Sequence, residues 1–559
     1  YMGRNNGSKV GGAVQTDAGK FGKGFAFDGD GDYLNYGTLG SNTIDNGTIA
    51  LWFKAPAKPI AVTETLFIRG SGSRPKLEFR TDNAKLQFTL YNGSSSALLY
   101  STNSLNDSLW HHVSIKWGSS GMEMWVDGVS NDTDSYAGTW QDTSGNWYFG
   151  GNFDNDNNYF NGTIDDAMIF NRSLSADEIL GLYNATRVSH TETGLAEGSH
   201  TYDAYAQDLA GNVVSDSKAF SVDATVPVLT VNSPSNNSNW NTNDVVVNAS
   251  VSDSNNVSVF SDYGLVSWWR MDDANSTTVH DYMGLNNGTI TNAVQVDGGY
   301  FGKGMSFDGD GDIVNMGNNE SLASNLTTTI NQWIKLSEKD DYQGVITGIN
   351  GMSVSQYRIL VWDNNKIYSQ VSINGTYDNL VSNSALDIDV WYMVTYVYDG
   401  EYEYIYINGD EDTNQSSSGY MDIGNGDTII GEGYAGGWYF NGTIDDVLIF
   451  NRSLSANEVQ AMYANASAKY LNASVSMAEG TRDVTVYSQD VGGNVVSSVV
   501  ANVSVDLTSP TVSVVSPLNG TYDSNAVLVN VSSSEEGTGM IVGSLDNSLV
   551  SWWRMDDAN

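Results

Sequence analysis

The chain contains no cysteine, which removes disulfide scaffolds and thiolate metal sites from consideration. Basic residues are scarce: 25 Lys and Arg stand against 66 Asp and Glu, a formal charge of -41. Such a surface repels nucleic acid and anionic membranes, favours solubility and attracts divalent cations. No apolar run is long enough to cross a bilayer. The 5 histidines (His111, His112, His190, His200 and His280) form no constellation, and there is no phosphate-binding glycine loop or His-Glu-x-x-His pair. What is present points to folded cores: 40% of residues are hydrophobic, with 15 Trp, 31 Tyr and 17 Phe. At 559 residues several domains are expected. Tyr1 continues a pattern in mid-course, so the chain reads as a piece of a longer product.

Internal repetition organises the rest. Tyr1–Gly37 returns as Tyr282–Gly317, Asn158–Tyr183 as Trp438–Tyr463, and GLVSWWRMDDAN at Gly264–Asn275 as SLVSWWRMDDAN at Ser548–Asn559. Within each repeat, runs such as LQFTLYN, HHVSIKWG, MEMWVDG and DDVLIFN cluster β-branched and aromatic residues between Gly, Asn and Asp turns, and predict strands. One stretch per repeat reads as helix: Ser175 with Glu178, and Ser455 with Glu458, form capping boxes ahead of apolar runs. The predicted class is all-β.

The order LVSWWRMDD, FGKGMSFDGDGDIVNMG, Trp-x-x-Val, WVDG, FNGTIDDVLIFNRSLSANEVQAMY resembles the laminin-G-like jelly roll of the concanavalin A-like lectin/glucanase superfamily. Trp110-His111-His112-Val113 matches that family's strand; the second copy departs from it as Trp391-Tyr392-Met393-Val394. The resemblance covers about two thirds of the chain and implies tandem antiparallel sandwiches whose first and last strands lie side by side. The remaining third resembles halves of microbial immunoglobulin-like modules of large surface or filament proteins. The expected organisation is jelly roll 1 at 1–187 (first strand missing), an immunoglobulin-like second half at 188–226, a first half at 227–263, jelly roll 2 at 264–466, a second half at 467–509 completing 227–263, the first half of a next repeat at 510–547, and the first strand of a next jelly roll at 548–559. Each jelly roll thus interrupts a loop of an immunoglobulin-like sandwich, since insertions succeed where a loop brings its ends together. The alternative, that each half is a complete domain, meets the difficulty that ~40 residues rarely bury enough core without disulfide or metal.

Carboxylates alternate with glycine in FDGDGD: Asp28, Asp30 and Asp32, repeated as Asp308, Asp310 and Asp312. They can bend around a hard cation, and the expected cofactor is calcium, with Asp166 and Asp446 (beside Asp165 and Asp445) and the Asp272-Asp273 pair supplying further oxygens. The resemblance implies calcium at the sandwich rim; Asp-Gly pairs also simply make tight turns. A second candidate loop, Asn152, Asp154 and Asp156, has no counterpart in GEGYAGG of the second copy. The superfamily's glucanases carry a Glu-x-Asp-x-x-Glu strand; Glu401 and Glu403 lack that pattern, and retaining hydrolysis needs two carboxyls ~5 Å apart, so no catalysis is expected.

About two dozen Asn-x-Ser/Thr sequons are present, including Asn6, Asn46, Asn92, Asn161, Asn171, Asn236, Asn248, Asn275, Asn325, Asn441, Asn451 and Asn530, which indicates N-glycosylation of an exported surface, archaeal by first preference. Three functions follow: a structural filament, sheath or stalk; a lectin-like adhesin; or an accessory region of a larger carbohydrate-active protein. The structural reading leads, because the repeats keep framework motifs while their loops diverge. Its expected partners are neighbouring copies or repeats of itself, head to tail, with glycans as the other partner class. In that arrangement Trp552, Trp553, Arg554 and Met555 form the inter-repeat strand, replacing a missing central strand of jelly roll 1.

Overall fold

The computed structural model describes residues 7–38, 46–70, 75–91, 96–136, 145–151, 158–184, 187–324, 326–338, 342–348, 356–362, 364–423, 426–434 and 437–533, together with 540, 542, 544 and 549. It is nearly all antiparallel strand and divides into two units, Tyr1–Val222 and Asp223–Asn559.

The first unit is built on two facing seven-stranded sheets. One runs Ser8–Val10, Tyr33–Asn35, Trp147–Phe149, Glu64–Arg69, Lys76–Phe79, Leu86–Tyr91, Ser96–Tyr100. The other runs Val129–Asp134, Gly121–Val126, His111–Gly118, Gly47–Lys54, Asn161–Phe170, Gly24–Asp28, Val14–Thr16. The strand period of two sends Ile49, Leu51 and Phe53 into the sandwich, where they meet Phe67, Phe79 and Phe88 in one buried cluster. The alternate residue Trp52 faces outward and is still buried, because Tyr183 of the helix Ala176–Asn184 stacks on it at 5.7 Å. The predicted cap holds that helix in place. The Glu178 carboxylate accepts the Ser175 amide at 2.8 Å, the Ser175 hydroxyl accepts the Glu178 amide at 3.2 Å, and Arg172 clamps Glu178 at 2.6 Å. After the helix, Gly198–Gln207 and Val213–Val222 form a two-stranded hairpin that is exposed along almost its whole length.

The second unit contains a small two-sheet sandwich and a second jelly roll. Three strands (Val228–Ser233, Asp244–Ser252, Ala468–Ser476) face four (Asn239–Trp240, Val495–Val505, Gly480–Asp490, Val257–Ser261) over a core of Val245, Val247, Val259, Val484, Val486 and Val503. Its partners are far apart in sequence: Asp244 pairs with Ser476 and Val257 with Asp490. The jelly roll spans the interval between them, with its own core around Trp269, Ile334, Tyr357 and Tyr396. A further apolar cluster, including Phe260, Trp268, Trp333 and Val459, joins the jelly roll's outer face to the helix Ala456–Met462 and the small sandwich.

The opening strand Leu265–Trp269 lies beside the closing strand Asn441–Phe450, pairing Leu265 with Phe450 and Trp269 with Val447. It is an edge strand that covers only the second half of the closing strand, because Gly304–Asp308 pairs with the first half. The expectation of a central strand is corrected accordingly. Near the far end, Val512–Ser516 pairs with Asn530–Ser533, both largely exposed.

Candidate functional site

The Asp-Gly turns are tied together by their own amides. Asp28 accepts the Asp30 amide at 2.8 Å, while Asp32 is buried and its carboxylate receives the amides of Asp28 and Gly12. The second copy repeats this: Asp310 N–H donates to Asp308 at 2.9 Å and Asp308 N–H to Asp312 at 2.8 Å. Asp28, Asp30, Asp308 and Asp310 remain exposed.

Asp165-Asp166 and Asp445-Asp446 do not join those turns. Asp28 pairs with Asn161, and Asp308 with Asn441, so Asp166 and Asp446 lie roughly 15 Å farther along at about 3.3 Å per residue. One ion cannot bridge that gap, and the expected shared ligand set is corrected to two separate features. Asn152, Asp154 and Asp156 lie outside the described residues, as do Trp552, Trp553, Arg554 and Met555.

The double aspartates instead mark a bulge, where the register breaks and Asp166 and Asp446 adopt φ 41° and 43°. Asp445 accepts the Phe301 amide at 2.9 Å, and Asp165 accepts that of Phe21 at 2.9 Å. Asp446 is buried, taking the Trp268 indole N–H and, at 3.1 Å, the Gln489 amide. Burial drives Asp446 upward, partly offset by the Trp268 hydrogen bond and the Arg270 charge; burial and the Asp446 charge raise Asp445. Around Trp268 pack Tyr282 at 4.8 Å, Phe260 at 5.1 Å and Tyr487 at 5.7 Å. In the first jelly roll the Asp166 carboxylate has Gln207 as a hydrogen-bonding neighbour, and its buried Oδ2 atom meets no donor among the described residues. Burial and the Asp165 charge push Asp166 up to about 6.

Two acidic groups converge that the sequence did not single out. Glu178, His190 and Glu192 draw together around Arg172, whose guanidinium makes the group an ion-pair network fixing the helix cap rather than a cation site. Asp223, Asp253 and Asp490 bring their oxygens within 4.8 Å of one another beside Asn255 and Asn494, both of which donate to them. Burial, with the charges of Asp223 and Asp253 adding to it, pushes Asp490 up to about 6. Glu401 is exposed in the turn before the strand Tyr402–Ile407, whereas Glu403 within that strand is buried, accepting the Tyr396 hydroxyl and the Gln415 amide.

Of the named sequons, Asn46, Asn171, Asn236, Asn275, Asn451 and Asn530 are exposed. Asn161, Asn248 and Asn441 are half-buried and donate their side-chain N–H to Asp28, Asn472 and Glu338. Asn6, Asn92 and Asn325 lie outside the described residues.

The second jelly roll also carries an aromatic ledge assembled from separate segments. Tyr342 lies 5.1 Å from Trp438 and 5.5 Å from Trp362, Tyr434 lies 5.7 Å from Trp438, and Trp362 meets Tyr368 at 4.1 Å. Trp438 and Tyr434 are 40% and 44% exposed. Arg358 sits 5.5 Å from the Tyr434 ring, donates to Gln370 at 3.0 Å and has a buried Nε that meets no acceptor among the described residues; Gln370 in turn donates to Asn379 at 3.0 Å. Burial lowers the Arg358 pKa from its ordinary value. The first jelly roll presents Lys76, Glu78 and Arg80 where the second presents Arg358, Leu360 and Trp362. This alignment follows from Glu64 pairing with Phe79 and Gln343 with Val361.

Two copies of a twisted antiparallel jelly roll with one capped helix define a lectin-type sandwich protein. The family model for the concanavalin A-like lectin/glucanases superfamily (Laminin_G_3) matches residues 28–180 and 308–460, more than half of the chain. The chain belongs to that superfamily. No curated protein matches it. Similar solved structures include domain 4 of AbnA, a GH43 extracellular arabinanase from Geobacillus stearothermophilus, in complex with arabinotriose. It is 19% identical, covers 36% of this chain and 98% of that one, and has a TM-score of 0.30. The receptor binding domain of botulinum neurotoxin C/D mosaic serotype is 19% identical, covering 36% and 51%, with a TM-score of 0.29. That of type G is 16% identical, covering 36% and 51%, also at 0.29. The chain spans about half the length of those two toxin domains.

Proposed function

We propose that the chain is a non-catalytic, glycan-binding repeat protein of an extracellular surface. The observation that carries this reading is the ledge of Tyr342, Trp362, Tyr434 and Trp438 beside the Arg358–Gln370–Asn379 chain. Sugar rings offer an apolar C–H face and a rim of hydroxyls. Exposed aromatic faces next to planar donors and acceptors match both. Membership of a lectin and glucanase superfamily supports the ligand class, and the abundant sequons and acidic charge support the extracellular setting.

On this reading, 227–263 and 467–509 form one immunoglobulin-like spacer with the jelly roll 264–466 inserted in its loop, a nesting supported by the pairing of Asp244–Ser252 with Ala468–Ser476. The exposed carboxylates of Asp28 and Asp30, and of Asp308 and Asp310, are the ligands this reading offers to a rim calcium. A glycan array tests the recognition. The protein should bind a defined glycan set, and Trp438→Ala and Arg358→Ala should each weaken binding at least ~30-fold, about 2 kcal/mol, at unchanged melting temperature. An array on which the protein binds nothing, or on which both variants bind as before, refutes it.

A further inference from the structure

The aromatic ledge is laid on a sheet face whose polar row carries a positive charge. Arg358 in Tyr357–Val361 pairs with Gln370 in Lys366–Ile373, and Gln370 with Asn379 in Thr376–Ala385. The three residues therefore stand in line across adjacent strands, and strand alternation puts Leu360 and Tyr368 on the same face. The hairpin Glu432–Tyr434 with Gly437–Tyr439 closes over it. A Cβ added at Gly433 would lie 2.6 Å from Leu360 Cδ2, and the Glu432 carbonyl accepts the Thr347 hydroxyl at 2.7 Å. Tyr434 is thus held beside Arg358 before any ligand arrives, which spares the ordering cost of binding.

Four arginines elsewhere are neutralised by carboxylates: Arg80 by Asp82, Arg172 by Glu178, Arg270 by Asp272 and Arg452 by Glu458. Arg358 forms no ion pair among the described residues; its guanidinium donates to the neutral Gln370 amide. The ionisable side chains that act on it are the phenols of Tyr377, Tyr434 and Tyr368, which are uncharged at neutral pH. A guanidinium drawn partly out of water without a counter-charge costs free energy that an incoming anion recovers. The first jelly roll lacks this feature, because Lys76, at the position of Arg358, is paired with Glu78 at 2.7 Å. At physiological salt the field of an exposed charge fades over about 8 Å, so the cation in the ledge outweighs the chain's distant acidic residues.

We propose, on the reading that the ledge binds glycans, that its ligand is an acidic saccharide. A sugar ring stacks on Trp438 and Tyr434, and its oxyanion, a uronate carboxylate or a sulfate ester, pairs with Arg358. Gln370 and Asn379 stand next in line for its hydroxyls.

The test is an array, followed by calorimetry of the full chain, that sets oligouronides and sulfated oligosaccharides beside their neutral twins, methyl-esterified or desulfated. Each bound acidic glycan should bind at least ~10-fold more tightly than its twin. Binding of oligouronides alone identifies a carboxylate ligand, and binding of sulfated glycans alone a sulfate ester. Arg358→Gln should erase the preference for the charged twin, whereas Trp438→Ala should weaken both twins alike. The twin comparison on the parent chain decides the matter even where a variant fails to fold. Binding confined to neutral glycans, equal affinity for charged and neutral twins, or a preference that survives in Arg358→Gln overturns the proposal and leaves glycan binding standing. An array on which nothing binds removes both.

Discussion

Replacing Trp268 isolates the contribution of the opening strand. Its side chain is fully buried among Phe260, Tyr282 and Tyr487, and its indole N–H is donated to a carboxyl inaccessible to water. Truncation to alanine removes the ring and leaves a cavity, at a cost of about 3–5 kcal/mol. Trp268→Phe keeps most of the apolar contact and removes the donor, so its cost should fall near the 1–3 kcal/mol of orphaning a buried acceptor. The Phe cost should also depend on pH. Burial raises Asp446 above its unfolded value, and the Trp268 hydrogen bond opposes that rise. Without the indole, the native pKa climbs further. Between the unfolded and native values the native state then binds more protons than the unfolded one, so stability falls as pH rises through that window. The parent loses stability in the same way up to its own native value of about 8. The extra cost of Trp268→Phe therefore develops above that value, and the variant should be more destabilising at about pH 9 than at about pH 6. Urea unfolding followed by circular dichroism reads this from the transition that moves, since a chain of two units need not unfold in one step. Equal costs at the two pH values, or a Trp268→Phe cost below about 0.5 kcal/mol, would refute the assignment of Asp446 as the indole's partner.

Other expectations can be checked on the same material. Asp490 and Asp272 are both pushed up to about 6 by burial, so thermal stability should decline as pH rises from about 4 through 6, and Asp490→Asn should flatten that decline; a melting temperature that climbs through this range contradicts it. Calcium on the exposed Asp28–Asp30 carboxylates should raise the melting temperature by mass action, by about 2.7 kcal/mol of stability at a hundredfold excess over Kd; a melt unchanged by excess EDTA removes calcium from the description. Mass spectrometry of native peptides should find glycans at exposed Asn171, Asn451 and Asn530 and bare side chains at Asn161 and Asn441, whose N–H groups are donated inward. Fully occupied Asn161 and Asn441 would contradict that ranking.

Elements defined by short-range chemistry could be read directly from the sequence. The Ser175–Glu178 box sits at the start of a helix, and the Trp-His-His-Val motif opens the strand His111–Gly118. The repeat also made the pairing of 227–263 with 467–509 legible, but side-chain partnerships between distant loops were not. Asp32 looks like a calcium ligand in the string FDGDGD, yet its carboxylate is taken by the Gly12 amide of a preceding loop. Asp166 looks like an accessory ligand until the strand register places it along the bulge, away from Asp28. The aromatic ledge draws Tyr342, Trp362, Tyr434 and Trp438 from segments whose spacing carries no periodic signal, because a short hairpin, Glu432–Tyr434 with Gly437–Tyr439, is laid against residues about 70–100 positions earlier in the chain.

Comparing the two jelly rolls separates what the fold must preserve from what each module can vary. The junction geometry recurs: Arg172 meets Glu178 and Arg452 meets Glu458 at 2.6 Å, and Phe21 and Phe301 both donate to their aspartates at 2.9 Å. The outward sheet faces do not recur; one shows Lys76, Glu78 and Arg80 and the other Arg358, Leu360 and Trp362. A binding surface shared by all repeats for one ligand would constrain those faces alike, whereas a seam between modules constrains only the junction. On the proposed reading the recurring residues hold each module's junction and the variable faces carry recognition, and the ledge residues Trp362 and Trp438 of the second module stand where the first has Arg80 and Asn158.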